Sequence, residues 1–192
     1  DPGPVDVSLD IEKAFDTLGL EYLNIVLEAM QFGPIYTKWI TTIYNYPKAR
    51  IKTGQFISEP FNIHRGTRQG CPLSQLIFAI AMESLACLMR RQAEQWGKKA
   101  IGCYQVISLY ADDALVYRHR PSESLPALMK LLEDFRHISG LRVNWPKSCI
   151  YPLNYTSTHL RIQTPIQELG WQYTTFKYLG IQVYHTELDL ID

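Results

Sequence analysis

Cysteine is scarce and scattered: Cys71, Cys87, Cys103 and Cys149 are the only four in 192 residues, and no two form a C-x-x-C pair. That pattern excludes a disulfide framework and makes a zinc site unexpected, so the thiols read as reduced and intracellular. Histidine supplies no metal motif either, because His64, His119, His137, His159 and His185 lack ligand spacing. Neither sign of charge is in excess, with Lys plus Arg and Asp plus Glu at 19 each, which argues against a simple basic nucleic-acid-binding module. No apolar run approaches the ~20 residues of a membrane span, and no signal-peptide pattern opens the chain, so no membrane partner is expected. Internal repeats, low-complexity tracts and a dense basic import cluster are also absent, which leaves localisation open.

What is present is an ordinary globular composition, 46% hydrophobic and 20% charged, in a length suited to one domain over residues 1–192. Residues 5 to 10 alternate as a short strand ending in an acid. Because that strand starts almost at once, the chain reads as part of something longer. Leu20, Leu23, Val26, Leu27 and Met30 keep helical spacing, stopped by Gly33-Pro34. A second helix is expected over 35–44, then strands over 49–53 and 56–63 around a Gly54-Gln55 turn, and a loop over 64–72. Residues 74 to 96 give the longest helical pattern, with Ser74 as the expected N-cap. Apolar runs over 105–110 and 114–117 bracket Ala111-Asp112-Asp113 as a hairpin with acids at its tip. A helix over 122–138, short strands over 141–144 and 147–151, an irregular stretch to Tyr173 and a strand over 176–184 follow. This order predicts an α+β fold, a sheet with helices packed on one face.

Asp10 closes the first strand and Asp112 and Asp113 sit at the hairpin tip, so pairing of the two strands would bring three carboxylates together. Like charges at that range repel unless a cation neutralises them, and hard oxygen donors suit Mg²⁺, which shares its shell with phosphates. The pattern therefore favours phosphoryl transfer. An Asp-Asp pair in a turn is by itself ordinary turn chemistry; the flanking residues change its meaning.

Tyr110-Ala111-Asp112-Asp113 between apolar strands resembles the acidic signature of reverse transcriptases, and Leu9-Asp10-Ile11-Glu12-Lys13-Ala14-Phe15-Asp16 resembles their first acidic motif. Arg65-Gly66-Thr67-Arg68-Gln69-Gly70-Cys71-Pro72-Leu73-Ser74 is similar to the motif that opens the long palm helix of non-LTR retrotransposon enzymes. Gly140 to Ser148 resembles their lysine-bearing motif, and Phe176-Lys177-Tyr178-Leu179-Gly180-Ile181 the primer-grip turn. The wording is closest to the long interspersed element type. The resemblance implies a polymerase palm, an antiparallel sheet with helices on one face, without most of the fingers and without the thumb.

It further implies an RNA-directed DNA polymerase acting on an RNA template, a DNA primer and dNTPs, with Mg²⁺ or alternatively Mn²⁺, in the nucleus or cytoplasm. Asp10 and Asp112 would bridge two ions, supported by Asp113 and the backbone carbonyl of Ile11. Phe15 would lie beneath the nucleotide sugar and exclude a 2′-hydroxyl. Gln69 and Gly70 would contact nucleotide and template, Arg65 and Arg68 would face phosphates, and Lys147 would protonate pyrophosphate. Tyr178, Leu179 and Gly180 would hold the primer end, while Asp16 would be a helix cap or a supporting group. One departure is Gln75, where the family has proline. The rival readings are a silent retrotransposon remnant and an RNA-binding palm module, the second disfavoured by the neutral charge.

Overall fold

A computed structural model describes residues 3–100, 102–153 and 169–184. The first strand, β1, runs Val5–Glu12 and is followed by the short helix α1 (Ala14–Thr17), α2 (Leu20–Ala29) and α3 (Pro34–Tyr44). Gly33, expected as a stop, also opens α3, with Pro34 at the first helical position where its missing N–H is harmless. Two small hairpin ladders come next, β2 (Lys48–Ala49) with β5 (Phe61–Asn62) and β3 (Lys52–Thr53) with β4 (Phe56–Ile57), the inner one turning at Gly54-Gln55 as expected. The long helix α4 covers Pro72–Arg90 and is capped by Cys71, not by Ser74, which is buried inside the helix. It ends earlier than its periodicity suggests, and Ala93–Trp96 forms a separate short α5.

A hairpin that the sequence reading missed, β6 (Lys98–Ala100) and β7 (Cys103–Gln105), precedes β8 (Ile107–Tyr110) and β9 (Asp113–Arg118). Helix α6 (Pro121–Ser139), β10 (Arg142–Val143), a 3-10 turn over Trp145–Lys147 and β11 (Cys149–Pro152) follow. Most of the stretch expected to be irregular before Tyr173 lies outside the described residues. After it come β12 (Gly170–Trp171) and a hairpin of β13 (Thr175–Tyr178) and β14 (Ile181–Tyr184), where the sequence reading had one continuous strand. The break is Leu179-Gly180: both residues adopt positive φ, 51° and 78°, the geometry of a two-residue hairpin turn.

The main sheet has six strands in the order β12-β11-β1-β9-β8, with β10 also paired to β1. Its pairs are antiparallel except β11 with β12, so the expected antiparallel sheet carries one parallel edge. On one face Val5, Val7 and Leu9 of β1, Ala114 and Val116 of β9 and Ile150 of β11 pack against Leu23 and Leu27 of α2, Ile77 and Leu85 of α4 and Leu125 and Leu132 of α6. Each large apolar side chain buried this way contributes about 1.5–3 kcal/mol. The helices thus occupy one face, as the sequence implied. The opposite face carries a smaller cluster of Leu115, Tyr151 and Phe176, flanked by Tyr117, Tyr178 and Val183, so β13 and β14 cover it in part. α4 is long and apolar enough by composition alone to cross a membrane, but Ile77, Ala81, Leu85 and Met89 spend that apolarity on the core.

Arg118 is the exception on the helix face. Its side chain is fully buried and, among the described residues, Nε, Nη1 and Nη2 all lack a hydrogen-bond partner, while burial lowers its pKa to about 10. A buried, unpaired cation weakens a fold. Arg118→Met is therefore expected to raise the thermal midpoint, by a gain of about 1–2 kcal/mol. A lower midpoint in a melting curve would show that the guanidinium has a stabilising partner.

Candidate active site

Strand alternation places the acids. Since Val5, Val7 and Leu9 point into the helix-covered core, Asp6, Ser8 and Asp10 point to the other face, and the same rule turns Asp113 outward from Ala114 and Val116. The β1–β9 register pairs Asp10 directly with Asp113. The backbone of Asp10 is engaged on its other edge: its N–H donates to Ser148 Oγ at 3.1 Å and its carbonyl accepts from Asn144 N–H at 2.8 Å. The Asp10–Asp113 pair therefore exchanges no backbone bonds, which is the kind of antiparallel pair whose side chains come closest. By the same pleat the Ile11 carbonyl is directed to the β9 side. Asp112 sits one residue before β9, in the turn, as expected, whereas Asp113, also expected at the tip, is the first residue of β9; Ala111 beside them takes a left-handed φ of 52°, a strained state for a residue with a Cβ.

The electrostatics agree with that placement. Burial raises the Asp113 carboxyl pKa above its ordinary value, and the charges of Asp112 and Asp10 raise it further. Among the described residues no three Asp, Glu, His or Cys side chains are grouped closely enough to hold a metal ion by themselves, so the three acids do not converge as the sequence suggested. The acids instead form an open edge. Such an edge fits a Mg²⁺ ion, which keeps several waters and uses one or two carboxylates together with substrate phosphates.

The other expected residues fall into two groups, of which the first is linked to this edge. Tyr178 reaches it from the β13–β14 hairpin: burial raises its phenol pKa, and Tyr117 and Asp113 add to the effect. Leu179 and Gly180 form the exposed turn just beyond. Lys147 is exposed at the end of the 3-10 turn whose neighbours Asn144 and Ser148 bind the Asp10 backbone. Those two anchors were not singled out from the sequence, although the Gly140–Ser148 motif contains both.

In the second group, the Phe15 ring lies 5.0 Å from that of buried Phe78, which holds it half-buried at the start of α1. The 65–70 loop is fastened to the same segment, with Thr67 N–H donating to Phe15 O at 2.5 Å and Gly66 N–H to Leu18 O at 2.8 Å. Gln69, Gly70, Arg65 and Arg68 are exposed on this loop. Arg65 and Arg68 line a groove of about 750 Å³ that also receives Lys48, Arg50 and Asp16. Asp16 does not cap α1; it accepts a hydrogen bond from Gln69. Gln75, the departure from the family pattern, is exposed in the first turn of α4, where nothing in its surroundings demands proline.

Comparison with known proteins supplies the family and the fold. The sequence profile of the family described as "Reverse transcriptase (RNA-dependent DNA polymerase)" matches residues 5–183. The chain is 32% identical over 176 residues to the Transposon TX1 uncharacterized 149 kDa protein of Xenopus laevis, covering 91% of this chain and 13% of that protein. It is 26% identical over 184 residues to a Retrovirus-related Pol polyprotein from the type-1 retrotransposable element R2 of Popillia japonica, covering 91% of this chain and 26% of the relative. The chain thus spans under a third of either. Among solved structures, apo telomerase from Candida tropicalis superposes with a TM-score of 0.66 at 12% identity, over 96% of this chain and 34% of that one, a likeness of fold. Telomerase from Candida albicans, in complex with a telomeric RNA fragment, gives 0.56 at 14% identity over 97% of this chain and 30% of that one. From a profile match over nearly its whole length, joined to a palm sheet with acids at a strand edge and a hairpin turn, the chain belongs to the reverse transcriptase (RNA-dependent DNA polymerase) family.

Proposed function

We propose that this chain forms the catalytic palm of a polymerase that extends a DNA primer on an RNA template, with Asp10 and Asp112 as the principal metal ligands and Asp113 and the Ile11 carbonyl in support. The observation that carries it is the register of Asp10 opposite Asp113 with Asp112 in the adjoining turn. Two divalent ions, Mg²⁺ or alternatively Mn²⁺, would supply activation of the primer 3′-hydroxyl and charge neutralisation on the leaving pyrophosphate. The protein's share is positioning. Asp10 is held by backbone bonds to Asn144 and Ser148, which fixes one carboxylate before substrate arrives. Tyr178, Leu179 and Gly180 would steady the primer end beside Asp113. Lys147 would donate a proton to pyrophosphate, a general-acid contribution of about 10²–10⁴-fold. Arg65 and Arg68 would meet phosphates, and Gln69 and Gly70 the incoming dNTP and its template partner.

The test is primer extension on an RNA template with dNTPs and Mg²⁺, using this chain joined to the fingers and thumb of a longer relative. Extension that disappears in Asp112→Asn supports the proposal. Salt-sensitive RNA binding without any extension would instead favour the RNA-binding module, since phosphate contacts give a steep salt slope. Phe15 makes a separate prediction in the same assay. Its ring is braced by Phe78, so Phe15→Val should open space beside the nucleotide sugar and raise ribonucleotide incorporation by about tenfold, the scale of a pocket methylene or more. Unchanged discrimination would leave Phe15 a core residue only.

A further inference from the structure

We infer that Asp16 is a positioning residue that fixes which end of the Gln69 amide faces the nucleotide, making position 69 a hydrogen-bond acceptor; this rests on the reading of Gln69 as a nucleotide contact. Gln69 Nε2 donates toward both carboxylate oxygens of Asp16, at 3.2 Å to Oδ1 and 3.4 Å to Oδ2. An amide can be turned end for end with little change of shape, and usually only its partners decide the orientation. Here the partner permits one answer. An ionised carboxylate has no proton to give, so Gln69 must turn its NH₂ group inward, and Oε1 is the end left to face a ligand.

The backbone makes this contact a fixed one. Thr67 N–H bonds to the carbonyl of Phe15, Gly66 N–H to that of Leu18, and Gly19 and Arg65 form an isolated bridge, so the loop carrying Gln69 is fastened to the segment carrying Asp16. The charge pattern points the same way. Among the described residues Asp16 is the only acid lining a groove that also receives Lys48, Arg50, Arg65 and Arg68. A carboxylate there opposes binding of a polyanion, and among the described residues no ion pair joins it to any of these cations. Its bond is to Gln69. The acid therefore acts through the amide, and the group it selects on the nucleotide is a donor, a hydroxyl or an N–H.

The test uses the 192-residue chain, ¹⁵N-labelled, titrated with dATP in Mg²⁺ while the side-chain amide of Gln69 is followed by NMR. Asp16→Asn offers a donor as readily as an acceptor and lets Gln69 turn, so dATP binding should weaken about fivefold, the scale of one hydrogen bond. Gln69→Glu alone sets two anions together and should weaken it at least as much. The double variant Asp16→Asn with Gln69→Glu keeps the net charge of the native pair. It restores one donor facing one acceptor, with an oxygen again turned outward, and should recover native affinity to within about twofold. A role for Asp16 that does not run through Gln69 predicts no such recovery. Native binding in Asp16→Asn, or no recovery in the double variant while both singles remain folded, overturns the inference. Binding unchanged in Gln69→Ala, or no dATP binding by the native chain, instead overturns the reading of Gln69 as a nucleotide contact, and the inference falls with it.

Discussion

Asp10→Asn should abolish primer extension while making the metal-free protein more stable. Both effects come from one geometry. Asp10 and Asp113 face each other across β1 and β9, and like charges directly opposite in a sheet destabilise it. The strain is registered at Asp113, whose carboxyl pKa is raised first by burial, then by Asp112 and Asp10. A carboxyl whose folded pKa lies above its unfolded value gives stability that is fully present below the unfolded value and lost as pH rises through the folded value. The metal-free chain should therefore melt higher in the acid range, below the ordinary Asp value, than the rest of its charge would dictate, and lose that increment as pH rises. Asp10→Asn should reduce that pH dependence and raise the neutral-pH midpoint, each kcal/mol gained appearing as about 2–4 °C in a protein of this size.

Added Mg²⁺ should stabilise the native chain by mass action and the variant much less. In the extension assay with fingers and thumb supplied, the loss should be about 10³-fold or more, since the metal contributes several kcal/mol of transition-state stabilisation. A variant that still melts higher in Mg²⁺ by the native increment would place the ion elsewhere. Active sites commonly sacrifice stability in this manner, and the opposite signs of the two effects distinguish a metal ligand from an ordinary structural acid.

The sequence disclosed the parts of this site that depend on alternation and on local turns. Val5, Val7 and Leu9 announce both a strand and the face that Asp10 must occupy, and the same alternation places Asp113. It could not show that β9 begins already at Asp113, with Asp112 the last residue of the turn, because that depends on Ala111 accepting a left-handed φ, which its residue type does not advertise. Helix α4 was legible in its apolar period but not in its cap: Cys71 carries no preferred capping side chain, and Ser74 inside the helix imitates one. The β6–β7 hairpin escaped because Lys98-Lys99-Ala100 has neither β-branched residues nor alternation. The anchors of Asp10 and the Asp16–Gln69 bond escaped for a different reason. They join residues 138 and 53 positions apart, and no local pattern reports a partner at that distance.

Gly66→Ala should be the most damaging small substitution in the 65–70 loop. A Cβ at position 66 would lie 2.7 Å from the carbonyl oxygens of both Phe15 and Asp16, well inside van der Waals contact, and its φ of 86° belongs to the region that side chains rarely adopt. Neither neighbour can yield easily, because both are backbone atoms of α1 and Phe15 O already accepts from Thr67 N–H. Left-handed strain of about 1–2 kcal/mol and overpacking of about 1–3 kcal/mol together predict a loss near 3 kcal/mol. Gly54→Ala is the matched control. It shares a positive φ, 61°, but meets no atom within 4 Å, so only the conformational part should appear. Denaturant melts of the two variants separate strain from clash. The clash also has a direction: the loop must lift from α1, lengthening the Asp16–Gln69 bond and carrying Arg65 and Arg68 away from Phe15. Gly66→Ala should therefore lose dATP binding measured under fully folded conditions, whereas Gly54→Ala keeps it. Equal losses of stability and equal binding in the two variants would mean that the loop is not seated on α1 in the way that these contacts require.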